Sequence, residues 1–151
     1  MKIAVASDHG GYELKEEIVK YLKEKGYDFI DFGCFSPESV DYPVMAAKAC
    51  RAIQKGECDR GIICCGTGLG ISMAANKFKG IRAAACSDYY SAKYTRLHND
   101  ANILSLGGRV LGPGLAIEMV EVFLNTEYLG GRHQRRVDMI TAIENGEFPE
   151  D

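Results

Sequence analysis

Short apolar runs alternate along the chain with longer segments whose apolar residues recur every three or four positions. Ile3-Ala4-Val5-Ala6 reads as a strand, and Leu14, Ile18, Tyr21 and Leu22 give the segment after it one apolar helical face. Gly26 stops that helix behind a lysine-rich last turn, and Tyr27 to Phe32 alternates in polarity as a strand suited to a sheet edge. Asp41-Tyr42-Pro43 opens a second helix that runs through Ala46, Ala49, Cys50 and Ile53 to Gly56, with Pro43 at a first helical position. Gly61-Ile62-Ile63-Cys64-Cys65 is an uncharged strand leading into a Gly66–Gly70 loop. A helix over about 71–78, a strand over 81–86, a helix over 91–97 and a fifth strand over 103–106 follow. The next helix carries Leu115, Met119, Val122 and Phe123 on one side. A tail helix over about 134–145, with Val137, Ile140 and Ile143, comes after a basic loop. This repeated βα alternation predicts an α/β fold: a three-layer α/β/α sandwich around a five-stranded parallel sheet, joined by right-handed crossovers. Ligands bind such sheets beyond the C-terminal ends of the strands.

Composition narrows this picture. The 151 residues carry 18 Lys+Arg against 21 Asp+Glu, a net charge of −3, which fits one domain over 1–151 and argues against a broad nucleic-acid-binding surface. No apolar run approaches the roughly 18 residues of a membrane span. The N-terminus passes from Lys2 to Asp8 too soon for a signal-peptide apolar region. Six cysteines (Cys34, Cys50, Cys58, Cys64, Cys65, Cys86) form no CxxC pair and lie mostly in apolar segments, as free thiols of a cytoplasmic protein do. Disulfide and zinc frameworks are not expected.

The residues able to carry chemistry fall at strand-to-helix junctions. Asp8 and His9 follow the first strand, where they can orient a ligand hydroxyl or contact an anion, or serve only as an N-cap with an exposed histidine beside it. Gly66-Thr67-Gly68-Leu69-Gly70 offers backbone N–H groups to a phosphate or an oxyanion, against the alternative of a tight turn. It is neither a dinucleotide fingerprint, because Ile71 stands where glycine is required, nor a Walker A loop. Cys65 ends its strand where those N–H groups favour a thiolate, and so can act as base or nucleophile, or it is a small buried hydrophobe. Cys64 must point to the other sheet face and is assigned to the core. His98, at a polar junction, is an acid–base candidate or a helix-end cation. Arg132 and Arg136 share a face if their segment is helical and suit a phosphate, or form a solvated basic face, with Arg109 a third candidate. Asp88, after the fourth strand, together with the glycine loop leaves open a non-catalytic flavodoxin-like nucleotide-binding module. A sugar-phosphate sensor that binds without reacting is a further reading.

Taken together, Asp8-His9-Gly10-Gly11, Asp41-Tyr42-Pro43, Cys65 to Gly70, Ala74-Ala75-Asn76-Lys77, His98-Asn99-Asp100 and Gly130-Gly131-Arg132-His133 resemble type B ribose-5-phosphate isomerases over nearly the whole chain. The wider family includes allose- and galactose-phosphate isomerases. The resemblance implies a Rossmann-like sandwich and interconversion of ribose 5-phosphate and ribulose 5-phosphate through an enediolate, with no metal or organic cofactor. A six-carbon sugar phosphate is the alternative substrate. By the same resemblance Cys65 is the base, His98 assists ring opening, and Thr67 with the amides of Gly66, Gly68, Leu69 and Gly70 surrounds the enediolate oxygens. Asp8 contacts a ring oxygen or hydroxyl, and His9, Arg132 and Arg136 hold the phosphate, with Arg109 and Asn99 also lining the pocket. Spacing alone places phosphate on the glycine loop; the resemblance moves it to the arginines. It also implies a homodimer with shared active sites, alone or doubled to a tetramer, with the 134–145 helix at the interface.

Overall fold

A computed structural model describes residues 1–150. Five parallel strands form one sheet in the order β2-β1-β3-β5-β4: β1 (Lys2–Ser7), β2 (Asp28–Asp31), β3 (Arg60–Cys65), β4 (Ala83–Ala85) and β5 (Ile103–Gly107). The expected α/β sandwich, with β2 on an edge, is what forms. The helices are α1 (Tyr12–Lys25), α2 (Tyr42–Gln54), α3 (Leu69–Ala75), α4 (Tyr89–Asn99), α5 (Pro113–Asn125) and α6 (Arg132–Glu144).

Period-2 alternation divides the core in two. Val5, Ile62, Cys64, Leu104 and Leu106 face one way and pack with Leu14 and Ile18 of α1, Ala92 of α4, and Met119 and Phe123 of α5. Ala4, Ala6, Ile63, Cys65 and Ile103 face the other way, against Met45 and Ala49 of α2 and Ile71 and Ala75 of α3. Neighbouring cysteines thus lie on opposite faces, as the spacing requires.

β1 sends the chain to β2 on one side and pairs with β3 on the other, so the strand order reverses between β1 and β3. A crevice opens beyond the C-terminal ends of two strands at such a reversal. The loops that carry Asp8 and Cys65 emerge there.

Four elements depart from the sequence expectation. The strand expected over 81–86 shrinks to Ala83–Ala85, because β4 has only β5 as a neighbour and side chains occupy its other positions. Asn102 Oδ1 accepts the Arg82 N–H at 2.8 Å, while Asn76 Oδ1 accepts from Ala83 N at 2.8 Å and Asn76 Nδ2 donates to Ala83 O at 2.9 Å. One asparagine thereby covers the outer edge as another strand would. Helix α3 begins two residues early and ends at Ala75, and α4 extends to 89–99 because Asp88 caps it, accepting from Ser91 N at 2.7 Å and from Ser91 Oγ at 2.8 Å. These bonds, the backbone N–H above all, hold the Asp88 carboxyl below its ordinary range. The basic loop expected at 132–136 is in fact the first turn of α6. All six cysteines are free and buried. Among the described residues, no helix is long and apolar enough to cross a membrane, and no group of three His, Cys, Asp or Glu side chains could hold a metal ion.

Candidate active site

Three glycine-bearing loops meet at the strand reversal. Asp8 N donates to Cys64 O at 3.1 Å, Gly108 N to Cys65 O at 2.8 Å and Arg109 N to Gly66 O at 3.0 Å, so the loops after β1, β3 and β5 are joined by main-chain bonds. This joining explains part of the glycine content. Gly68 adopts φ +78, and a Cβ there would lie 2.9 Å from the carbonyl carbon of Leu106. The Gly68 carbonyl in turn accepts from the buried Ser105 hydroxyl at 2.6 Å.

Within this frame Cys65, only 5% exposed, receives the Gly68 N–H on its sulfur at 3.1 Å. Cys64 sits fully buried on the opposite face, where burial pushes its thiol well above its ordinary range. Thr67 and Leu69 are exposed beside the sulfur, and Thr67 Oγ1 accepts from Leu69 N at 3.2 Å. Arg109 lies against Gly66, where an added Cβ would be 3.2 Å from Nη1. Asp8 Oδ1 accepts from Gly10 N at 2.9 Å and from Gly11 N at 3.1 Å, so this oxygen shapes its own loop. The cap of α1 is Gly11 rather than Asp8. His9 accepts the Val40 N–H on Nδ1 at 3.3 Å, which turns Nε2 away from the main chain.

His98, Asn99, Arg132 and Arg136 form a second cluster, lining a cavity of about 310 Å³ together with His133, Val137 and Ile140. None of Asp8, His9, Cys65 or Arg109 lines it. Helicity of α6 puts Arg132 and Arg136 on one face, both exposed, and no carboxylate of the described residues lies within salt-bridge distance of either. The His98 and His133 rings stack with centroids 4.1 Å apart at 15°, and Tyr94 meets His98 edge-on at 5.0 Å. Burial first, then His98, Arg132 and Arg136, lower the His133 pKa from its ordinary value.

The two clusters occupy opposite ends of the sheet. Each helix returns the chain to the N-terminal end of the next strand, so α4 ends at Asn99, four residues before β5 begins at Ile103. Ile103 pairs with Gly61, whereas Cys65 pairs with Gly107 at the other end. Four residue steps of about 3.3 Å separate these ends by about 13 Å along the strands alone, beyond hydrogen-bond reach.

Two residues, Tyr42 at the Cys65 end and His133 in the other cluster, escape motif reading because each stands in a recognisable block without an evident job. The Tyr42 ring begins α2 and lies over Gly70, where a Cβ would be 2.9 Å away. The signal for Tyr42 is its position directly after the β2 loop, at the same sheet end as Cys65. Asp88 needs no nucleotide to account for it, since Ser91 already takes both of its oxygens, and this removes one of the two grounds for a flavodoxin-like module, the glycine loop being the other.

A family model described as Ribose/Galactose Isomerase matches residues 3–140. Ribose-5-phosphate isomerase B of Escherichia coli (strain K12) is 54% identical over 143 residues, covering 95% of this chain and 96% of that protein. The solved structure of Clostridium thermocellum ribose-5-phosphate isomerase B matches with a TM-score of 0.95 at 57% identity, over 97% of this chain and 99% of that one. Ribose-5-phosphate isomerase B from Mycoplasma genitalium, solved with bound ribulose-5-phosphate, matches with a TM-score of 0.91 at 40% identity, over 95% and 96%. Agreement of this extent in both sequence and fold, reaching from β1 through most of α6, leaves one conclusion: the chain belongs to the ribose/galactose isomerase family.

Proposed function

We propose that the chain is a ribose-5-phosphate isomerase acting without a cofactor, and that Cys65 is its base. In the open-chain aldose the Cys65 thiolate takes the proton from C2. The electron pair of that C–H bond becomes the C1=C2 double bond, and negative charge moves to O1. The thiol then returns the proton to C1, the C2 hydroxyl proton passes to O1, and the carbonyl re-forms at C2. A proton beside a carbonyl becomes removable only where preorganised donors meet the charge developing on oxygen; losing one such donor typically lowers kcat by about 10²–10³. In this reading the donors are Thr67 and the main-chain amides of Gly66, Gly68, Leu69 and Gly70, the Gly68 and Leu69 N–H groups being shared between the substrate oxygens and their own acceptors, Cys65 Sγ and Thr67 Oγ1. Asp8 contacts the ring oxygen or a hydroxyl, and His98 assists opening of the furanose.

The phosphate is held at the far end of the sugar by His9, Arg132 and Arg136, with Arg109 and Asn99 lining the pocket. Guanidinium groups stay charged and grip phosphate through two parallel bonds. Because Cys65 and His98 lie at opposite ends of one sheet, this site needs two chains, the β1–β3 end of one against the His98–Arg136 cluster of the other. A two-fold pairing of this kind makes two equivalent sites. Exposed apolar side chains at both clusters favour it: Leu69 and Met73 on α3, Val110, and Ile140 and Ile143 on α6.

The observation that carries the reading is the Gly68 N–H aimed at Cys65 Sγ in a glycine loop at the strand reversal, in a chain this close to ribose-5-phosphate isomerase B of E. coli. The test is incubation of the pure, EDTA-treated protein with ribose 5-phosphate, allose 6-phosphate and galactose 6-phosphate while ketose formation is followed. We expect ribose 5-phosphate to give the highest kcat/KM. A six-carbon preference would reassign the substrate, and binding without turnover would leave a sensor.

A companion prediction concerns the phosphate. Arg136→Ala removes a charged hydrogen-bond donor worth about 1.5–3 kcal/mol, so KM should rise about 10- to 100-fold, with a smaller fall in kcat as positioning loosens. If steady-state kinetics moved neither parameter, the phosphate would have to be placed elsewhere.

A further inference from the structure

Apart from Asp100, every described residue with positive φ is a glycine; Asp100 ends α4 at φ 47, ψ 41. Glycine would serve a left-handed helix end at no steric cost, so an aspartate there calls for a job done by its side chain. The carboxylate joins two arginines from different parts of the chain. Asp100 Oδ1 accepts from Arg96 Nη1 at 2.9 Å, and Oδ2 accepts from Arg82 Nη2 at 3.3 Å. Arg82, just ahead of β4, also donates from Nε to Asn99 O and Asp100 O, both at 3.1 Å, and from Nη2 to Asp100 O at 3.0 Å.

Arg96 carries the connection onward. Its side chain is 2% exposed, an extreme degree of burial for a guanidinium, and lies over the Phe123 ring. Nη1 donates to Ala101 O at 2.6 Å, and Nε reaches Thr126 O at 3.2 Å. Thr126 begins the segment that leads to Gly130, Gly131 and the first turn of α6. Leu129 N donates to Leu97 O at 3.1 Å along the same seam. One buried guanidinium therefore fixes both the end of the helix that carries His98 and Asn99 and the segment that delivers Arg132, His133 and Arg136.

We propose that Arg82, Arg96 and Asp100 are positioning residues that hold the end of α4 in register with the start of α6, so that the cavity between them is formed before substrate arrives. The proposal rests on the reading of His98, Asn99, Arg132 and Arg136 as substrate-binding groups. None of the three touches substrate; they act through the residues they place. The stacked His98 and His133 rings are where that register is most exacting, since a small shift of one helix end parts them.

The decisive variant is Asp100→Gly, which keeps the left-handed turn and removes only the carboxylate. We expect a melting temperature within a few degrees of wild type and a fall of about 10²-fold in kcat/KM for ribose 5-phosphate, the cost typical of slight misplacement, expressed mainly in KM. Asp100→Asn, which tolerates the same backbone and keeps an acceptor for Arg96, should recover most of the loss. Arg82→Met, at a partly exposed site, gives an independent test and should raise KM in the same direction. Wild-type kinetic constants in Asp100→Gly, or an unchanged KM in Arg82→Met, would overturn the proposal. So would a loss of activity that follows melting and disappears on cooling. If Arg136→Ala is impaired while Asp100→Gly is not, the positioning role alone fails; if Arg136→Ala is itself silent, the reading of the phosphate site fails.

Discussion

Cys65→Ala should lower kcat by about 10⁴, the upper end of what a positioned proton-transfer group supplies, whereas Cys64→Ala should leave kcat and KM near wild type and cost about 0.5–3 kcal/mol of stability. The contrast is worth testing because the two residues are adjacent and chemically identical, so any difference must come from where the backbone points them. Cys65 Sγ faces the glycine loop and receives the Gly68 N–H. Cys64 Sγ lies in the layer of Val5, Ile62 and Leu104 under α1 and α5, fully enclosed, and burial disfavours its ionised form. Truncating Cys64 leaves a void in a close-packed layer, a stability effect that does not touch turnover. Steady-state kinetics at matched folded concentration, with thermal melting beside it, reads both quantities. Comparable losses of kcat from the two variants would remove Cys65 as the base.

This opposition of neighbouring cysteines was legible from spacing, because the two-residue period of a strand needs no tertiary knowledge. So were the parallel sheet, the edge position of β2, and the crevice where Asp8 and Cys65 converge. Elements decided by long-range side-chain bonds were not. β4 is half its expected length because the side chains of Asn76, seven residues before Ala83, and Asn102, twenty residues beyond Arg82, take up main-chain groups at its start. Helix α4 reaches two residues further at each end than the 91–97 of its periodicity, and at its start the cause is the Asp88 side chain, which caps it through Ser91. In the glycine loop, Gly68 answers both to its positive φ and to the close approach of Leu106, neither of which residue order displays. Residue order also conceals distance: His98 and Cys65 are 33 positions apart, and only the return stroke of α4 shows that they stand at opposite ends of the sheet.

That separation gives the second prediction its force. Cys65→Ala and His98→Asn should each be nearly inactive alone, the second by about 10²–10⁴ if His98 acts as an acid–base group in ring opening. Mixed in equal amounts under conditions that let subunits exchange, they should regain activity. In a pair with shared sites, one site of the mixed dimer combines both altered residues, while the other joins the intact Cys65 of one chain to the intact His98 of its partner. Half the dimers are mixed at random exchange and each carries one working site of two, so about a quarter of wild-type activity should return. If each chain instead built its whole site from its own residues, every site in the mixture would carry one of the two defects and nothing would return. The roughly 13 Å along β3 that separates the two ends makes the first outcome the expected one, because no side chain at the end of α4 can span that distance and still exchange a proton with a sugar held against Cys65. Measuring mass in solution alongside the regain ties it to assembly: activity should appear only as fast as mixed dimers form.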